Sequence, residues 1–560
     1  MSVNKQVKKK KNGQPSTSGS ANNASRRPMI KPSDLVTDLI DLTKDYELKH
    51  GIDVDQSKIF VRLLSGQVIG VFPVEGEKFR NHLRILGETR LGRGPTPKVI
   101  DEVIQHIEAR GLSLTSCPMF RRFAHIAGTI YIDRGTPDGE AIMITKQGWS
   151  LVQDPPVLFR RSNTTGVLPQ PQVGGSLELF RSHFLTVPDE SIAALLGFIV
   201  SCYLHKGSFP ILMIQGQQGC GKSTLTDLLR SLIDPVLGYA ARAQLPAKPE
   251  DLATVVSTNF LSSFDNASRI PNEIADILCQ VSTGGNYGGR KLYSQGETFS
   301  MELHNPLIIN SVSLLLERPD LASRLILIDL ASLKDGERMS EGEVRRRFDS
   351  NLPKILEYIC TAIAMALRDH ADTRVSPTPR LADAALFATA AEPALGLLDG
   401  SIVTAWSSAQ LDHTGNQAAN DPVAFVLQKL LHDAPHCFEG TTSELIQKAH
   451  SLGADEKWKL PSDFPVKASG LGAYLTRNKS VLESSGLTVQ KTPRQSKKRE
   501  LKICFNEIKQ TATSAVTVNR PNGHIEVVKI NEHEALLNKL ETAKRPHINP
   551  THSGLGGMAA

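Results

Sequence analysis

No apolar run in the sequence reaches the twenty or so residues that a membrane-spanning helix needs, and the longest, such as IAALLGFIVSCYL at 192–204, fall well short. An anchoring segment is therefore not expected. Cysteine is sparse and unpatterned. The seven (Cys117, Cys202, Cys220, Cys279, Cys360, Cys437, Cys504) never fall in CxxC spacing and their number is odd, which argues against a zinc ribbon or a disulfide scaffold and for a reducing cytoplasm. Acid is missing from the first 27 residues, which carry Lys5, Lys8, Lys9, Lys10, Lys11, Arg26 and Arg27 among Asn, Gly, Ser and Pro, with no apolar core. That excludes a secretory signal and predicts a disordered basic tail over residues 1–30, either a solvated end or an arm for phosphates and other anionic partners. No internal repeat is present.

The composition is that of an ordinary globular chain, 40% apolar and 22% charged over 560 residues, enough for three or four domains. Taking the seven tail cations from the 64 basic residues leaves 57 against 58 acids, a body charge of about −1. Contacts to nucleic acid must then come from local patches or from the tail. Residues 31–165 read as an α+β region, with a hairpin in KIFVRLLSGQVIGVFPV around Ser65-Gly66 and a β-rich run over 123–167. The Gly- and Pro-rich linker GVLPQPQVGG at 166–175 precedes a helical run at 176–205. From 209 to 330 strands, glycine loops and helices alternate as in a parallel α/β sheet, and helices are expected at 353–369 and 380–408.

The chemistry concentrates in that α/β stretch. FPILMIQGQQGCGKSTLTDLL holds a full GxxxxGK[ST], preceded by an apolar strand and followed by a helix, the two contexts the motif requires. Gly216, Gln217, Gln218, Gly219, Cys220, Gly221, Lys222, Ser223 and Thr224 form the expected phosphate cradle. Its glycines turn backbone N–H groups inward, Lys222 reaches the β and γ phosphates, and the Ser223 hydroxyl ligates Mg2+. Magnesium needs a second carboxylate, and Asp265 ends the apolar stretch FLSSFD 43 residues after Lys222; a plain helix cap near Ala267 is the other reading. Asn266 follows it, an amide that orients water but cannot take its proton. NPLIINSV holds a third buried strand that ends in Asn310, a turn residue or a group aimed at the γ-phosphate. RPDLASR offers Arg318 and Arg324, either as transition-state cations for a neighbouring subunit or as partners of Asp320 and Asp329.

GQQGCGKS, FLSSFDNAS, TGGNYGGRKLYS, NPLIINSV and RPDLASR, in this order over roughly 176–410, resemble the AAA+ ATPase domain of superfamily III helicases. The resemblance is to the poxvirus and phage primase-helicase type carried by bacterial mobile elements. It implies a ring, hexameric in the family, that couples ATP hydrolysis to movement along DNA. It makes Asp265 the Walker B metal acid, Asn310 the first sensor and Arg324 the arginine finger given in trans. Asn266 departs from the paired acids of the family and puts the catalytic base in doubt. No primase or polymerase acid cluster is visible upstream, so a primase would have to be a separate partner. In such helicases a hairpin before the first sensor enters the ring channel. TGGNYGGRKLYSQGE has the right place, with RKLYS and TFSMEL as the arms and Arg290 and Lys291 as DNA contacts; an ordinary surface hairpin is the alternative.

A module at 420–506 follows. Helices at 422–433, 442–450 and 467–484, then strands LTVQ and ELKICF around KTPRQSKKR, outline a winged helix. Residues 466–505 hold nine Lys or Arg and two Glu, a local charge of +7, and the hairpin concentrates Lys491, Arg494, Lys497, Lys498 and Arg499. These suit duplex phosphates, or merely solubilise the hairpin. No aromatic platform for single strands accompanies them. Residues 507–560 are expected to give a hairpin around Pro521-Asn522-Gly523, a short helix and a frayed end. The expected whole is an α/β protein with an AAA+ core, an N-terminal α+β region and a C-terminal winged helix. It would act as an ATP- and Mg2+-dependent DNA helicase or replication-initiator motor. An ATP-gated DNA-binding switch with slow turnover is the main alternative, and a small-molecule kinase, with no use for the basic hairpin, a poorer one.

Overall fold

The computed structural model describes residues 32–53, 56–63, 70–162, 164–238, 242–267, 270–290, 298–312, 318–333, 339–408, 421–431, 437–455, 461, 464–491, 501–505, 515–521 and 525–529. The basic tail, the short helix expected after 530 and the chain end lie outside them. The fold is mixed α/β, with several separate sheets.

Near the N-terminus a five-stranded sheet runs in the order Gly70–Pro73, Gln56–Leu63, Glu47–Asp53, Ser116–Phe120, Leu158–Phe159. The expected hairpin is there, with Leu63 opposite Gly70. Leu39, Phe79, Leu83, Ile100 and Ile107 on three helices are fully buried beneath it. A four-stranded meander covers 123–152, and its inward Ile130, Ile132, Ile142 and Ile144 join the largest core of the chain. Arg122, buried and at φ 52°, fastens the meander to the next layer: its Nε donates to Asp234 Oδ1 at 2.9 Å and its Nη2 to the Gly166 carbonyl at 3.0 Å. One cation thus satisfies a carboxylate and several loop carbonyls that would otherwise be buried unmet.

The central sheet is parallel. Its order is Ala243–Gln244, Ser262–Asp265, Leu307–Asn310, Ile211–Gln215, Leu325–Asp329. The 43-residue interval between Lys222 and Asp265 reflects this order, because the strand ending in Asn310 lies between the other two. Parallel strands are covered on both faces, which is why ILMIQ and LIIN are continuous apolar runs. The run too short for a membrane is the helix Asp189–Ser201, buried along its whole length from Ile192 to Ser201. At Gly197 an added Cβ would lie 2.5 Å from Ile402, so only glycine lets the segment carrying Trp406 approach. Among the described residues no helix is long and apolar enough to cross a membrane.

The helix expected at 353–369 is longer, Glu341–Asp369, capped where Ser340 Oγ accepts the Glu343 N–H. Pro353, which suggests a helix start, sits inside it, and its carbonyl accepts the Gln172 N–H at 2.9 Å. The strand Arg374–Ser376 then pairs with Ala515–Asn519, and that strand with Ile525–Lys529, so the C-terminal hairpin returns to this helical layer. There Arg520 donates to Glu392, 3.0 Å away, and pairs with Asp399.

Between them in sequence lies a separate small core. The helices Pro422–Leu431, Thr442–Asp455 and Ala468–Arg477 pack on a three-stranded sheet in the order Cys437–Gly440, Leu501–Phe505, Leu487–Lys491. The expected third helix is broken at Asn478, where φ −102° and ψ 30° end the first piece before Lys479–Ser484 begins. The strand Cys437–Gly440 has no counterpart in the sequence reading. It sets Cys437 directly opposite Cys504, and the two form a disulfide with Cα atoms 4.1 Å apart. Spacing gives no hint of a bridge across 67 residues. The other five cysteines are free, so there is one cross-strand bridge and no disulfide scaffold.

Candidate nucleotide site

The loop between the strand Ile211–Gln215 and the helix Lys222–Ile233 turns at Gly216, Gly219 and Gly221, with φ of 143°, 85° and 90°. Each of these values suits glycine. At Gly216 a Cβ would also lie 2.7 Å from Cys220 Sγ, so close approach is a second reason. Lys222 is buried, and its ammonium donates to the Gly216 carbonyl at 2.8 Å and the Gln217 carbonyl at 2.9 Å, which holds the cation inside the curve of the loop. Gln217, Gln218 and Gly219 are exposed at the rim and Cys220 is buried.

The candidate acid lies against the loop. Ser223 Oγ donates to Asp265 Oδ2 at 3.0 Å, joining the first turn of the helix to the end of the strand Ser262–Asp265. Asn310, fully buried, donates from Nδ2 to Asp265 Oδ1 at 3.3 Å and accepts from Thr226 Oγ1 at 2.9 Å. Lys222, Ser223, Asp265 and Asn310 therefore converge at the C-terminal ends of three adjacent parallel strands, where ligands of open α/β sheets bind. Asn266 stands next to them at φ 57°. Asn tolerates this left-handed conformation and Glu does so poorly, so the backbone offers a local reason for the amide.

Arg324 is far from this cluster within its own chain. It immediately precedes the strand Leu325–Asp329, at the end of the sheet opposite the glycine loop, and its Nη1 donates to the Asp320 carbonyl. It does not reach the glycine loop of its own chain. Arg318 takes the blander option, bridging Asp320 and Asp276. Gly285–Arg290 pairs antiparallel with Thr298–Leu303, the expected arm TFSMEL; of the other expected arm, RKLYS, Arg290 alone falls within the described residues. Arg290 ends the first arm opposite Thr298; Lys291 lies outside the described residues. Of the candidate basic contacts in the C-terminal module, Lys491 ends the strand Leu487–Lys491, while Arg494, Lys497, Lys498 and Arg499 lie outside the described residues.

Two features escape a reading of the sequence. Arg242, just before the two-residue edge strand Ala243–Gln244, lies 3.6 Å from Asp265 Oδ2 and 3.0 Å from Asp227 Oδ1. Burial pushes the Asp227 carboxyl above the usual range, with Arg242 and Arg345 pulling the other way. The other feature is a solvent-open cleft beside the loop, lined by Leu185, Thr186, Thr224, Leu225, Leu333 and Val344 among others. His183 also lines it. Its Nε2 is buried without a hydrogen-bond partner among the described residues, and burial, then Arg347, holds its pKa down. Neither feature carries a motif, because both depend on side chains brought together from distant segments.

Residues 178–413 match the family model of the actinomycete integrative conjugative element replication protein, and residues 423–515 match that of the C-terminal domain of the same RepA proteins. Across these two stretches the chain is similar to replication proteins of mobile elements. No curated protein matches. Among solved structures, two A-form apo structures of the NrS-1 C-terminal region are similar, each 11% identical and covering 85% of this chain and 99% of theirs. Their TM-scores are 0.36 and 0.35, too low to bear on fold or activity.

Proposed function

We propose that the chain is an ATP-driven replication motor of the AAA+ superfamily III type, which hydrolyses ATP with Mg2+ to move along and unwind DNA. The observation that carries this reading is the convergence of Lys222, Ser223, Asp265 and Asn310 on one glycine loop. Those residues fit a magnesium triphosphate. The positive-φ glycines leave room for phosphate oxygens, Lys222 supplies the cation, and Ser223 and Asp265, 3.0 Å apart, offer the hydroxyl and carboxylate that Mg2+ takes. The neighbouring cleft is suited to the base and ribose, with apolar walls and the His183 Nε2 as a polar group to pair.

Asn310 would orient the attacking water or feel the γ-phosphate from its buried seat between Thr226 and Asp265. Arg324, remote from its own loop, is suited to a neighbouring subunit's nucleotide, which requires a homo-oligomer, by resemblance a hexameric ring. The hairpin Gly285–Arg290 with Thr298–Leu303 precedes the Asn310 strand, the position from which Arg290 and Lys291 would grip a single strand in the ring channel. The module at 421–505 would act as a winged helix on duplex DNA through Lys491, Arg494, Lys497, Lys498 and Arg499. A primase, if used, is a separate partner, and no membrane is involved. The similarity to mobile-element replication proteins supports DNA as the substrate.

A second reading rests on Asn266. With an amide beside the metal acid, turnover would be slow and ATP would gate assembly on DNA instead. Steady-state ATP hydrolysis with and without forked DNA separates the two. The motor reading expects DNA-stimulated turnover, and the switch reading expects tight nucleotide binding with turnover that DNA does not raise.

A further inference from the structure

The Asp265 carboxylate serves four neighbours. Oδ1 accepts from the Asn266 backbone N–H at 3.0 Å and from Asn310 Nδ2 at 3.3 Å. Oδ2 accepts from Ser223 Oγ at 3.0 Å and faces Arg242 Nη1 at 3.6 Å. Three of these groups are neutral and remain compatible with a cation on the carboxylate. Arg242 is not. A divalent ion on Oδ2 and a guanidinium 3.6 Å from the same oxygen would stand within a few ångströms of each other, three positive charges against the carboxylates of Asp265 and Asp227.

The same arginine has a second carboxylate. Its Nε lies 3.0 Å from Asp227 Oδ1, on the helix one turn beyond Ser223. The pairing of Ala243 with Phe264 and of Gln244 with Asp265 brings the segment that begins at Arg242 alongside the strand that ends at the metal acid, and the Arg242 side chain is 31% exposed. Arg345 also faces Asp227, and Glu341 and Asp265 complete the charges around it.

Resting on the ATP–Mg2+ reading of this site, we propose that Arg242 is a metal-competing residue. Its guanidinium and the magnesium ion contend for Asp265 Oδ2, and Asp227 receives the guanidinium when the metal takes that oxygen. Arg242 thereby weakens the metal's hold, and its return to Asp265 favours release of the spent magnesium complex. It positions the carboxylate and bonds no reacting atom. Asp227 and Arg242 act in opposite senses: one draws the competitor away, the other is the competitor.

The test is a Mn2+ titration of the full-length protein, followed by electron paramagnetic resonance at a fixed concentration of a nonhydrolysable ATP analogue. Arg242→Gln should tighten Mn2+ by roughly tenfold, the lower end of what an opposite charge at this range does to a carboxylate, because the side chain is partly solvated. Arg242→Lys keeps the competing charge and should stay within about twofold of wild type. Asp227→Asn, which leaves Arg242 only Asp265, should weaken Mn2+. A merely structural role for Arg242 would loosen the site, so an unchanged or weaker Mn2+ affinity in Arg242→Gln overturns the proposal. Binding that survives in Asp265→Asn would instead remove the metal reading on which it stands, and absence of Mn2+ binding in the wild type overturns both.

Discussion

The central sheet and the C-terminal module are both held by buried apolar cores, yet they present their chemistry in opposite ways. In the sheet the central candidate polar groups are seated: Asn310 is fully buried between Thr226 and Asp265, Lys222 is tied to two loop carbonyls, and Ser223 on the first turn of its helix meets Asp265 at a strand end. In the module the helices and strands are tightly packed, but the candidate cations gather at the end of one strand and in the segment that follows it. Chemistry on a phosphate requires fixed distances, which parallel strand ends provide. Grip on a polyanion requires only a dense positive charge near the right surface.

If that contrast is right, single substitutions should be ruinous in the sheet and mild among the basic residues of the module, and the two regions should fail independently. Lys222→Ala and Asp265→Ala should each cut ATP hydrolysis by roughly a hundred- to a thousandfold while leaving DNA affinity intact, as a coupled hydrolysis and binding assay would report. Next in size, replacing Lys491, Arg494, Lys497, Lys498 and Arg499 together by Gln should weaken duplex binding by about a hundredfold at moderate salt. It should also flatten the salt dependence by about 0.9 for each DNA phosphate no longer neutralised, with DNA-free ATP binding unchanged. One of these changes alone should cost a few-fold at most, and a large effect from a single one would break the contrast.

Smaller effects sharpen it. Asn310→Ala removes one hydrogen bond each from Thr226 and Asp265, which keep the Lys222 carbonyl and the Asn266 N–H as partners, and should cost about 1 kcal/mol in denaturant unfolding besides roughly tenfold in turnover. Asn266→Gly, at φ 57°, should leave stability within about 0.5 kcal/mol of wild type, whereas Asn266→Glu should lose about 1 kcal/mol to backbone strain. If Asn266→Glu also raises turnover several-fold, the missing acid limits the natural enzyme and the switch reading gains.

The same contrast explains what is legible in the sequence. ILMIQ and LIIN announce themselves because buried parallel strands are unbroken apolar runs between glycines or polar ends, SSFD is marked by the Phe-Leu before it and the Asp at its end, and GQQGCGKS carries its own spacing. Arg242 has no such signal. It precedes a two-residue edge strand, and only its distances to Asp265 and Asp227 reveal it. The first hairpin arm begins at Gly285, ahead of RKLYS, because Gly285, Gly288 and Gly289 look like a loop and in fact pair as a strand. In the module the apolar period marks the helices, but the break at Asn478 and the strand Cys437–Gly440 depend on packing that no local pattern encodes.

The central claim is that ATP on the glycine loop drives DNA strands apart, and the most direct measurement is displacement of one strand of a forked duplex by the full-length protein with ATP and Mg2+. Wild type should unwind the fork, and Lys222→Ala and Asp265→Ala should both lose unwinding while still binding it. A wild-type protein that binds the fork and never separates its strands would contradict the account.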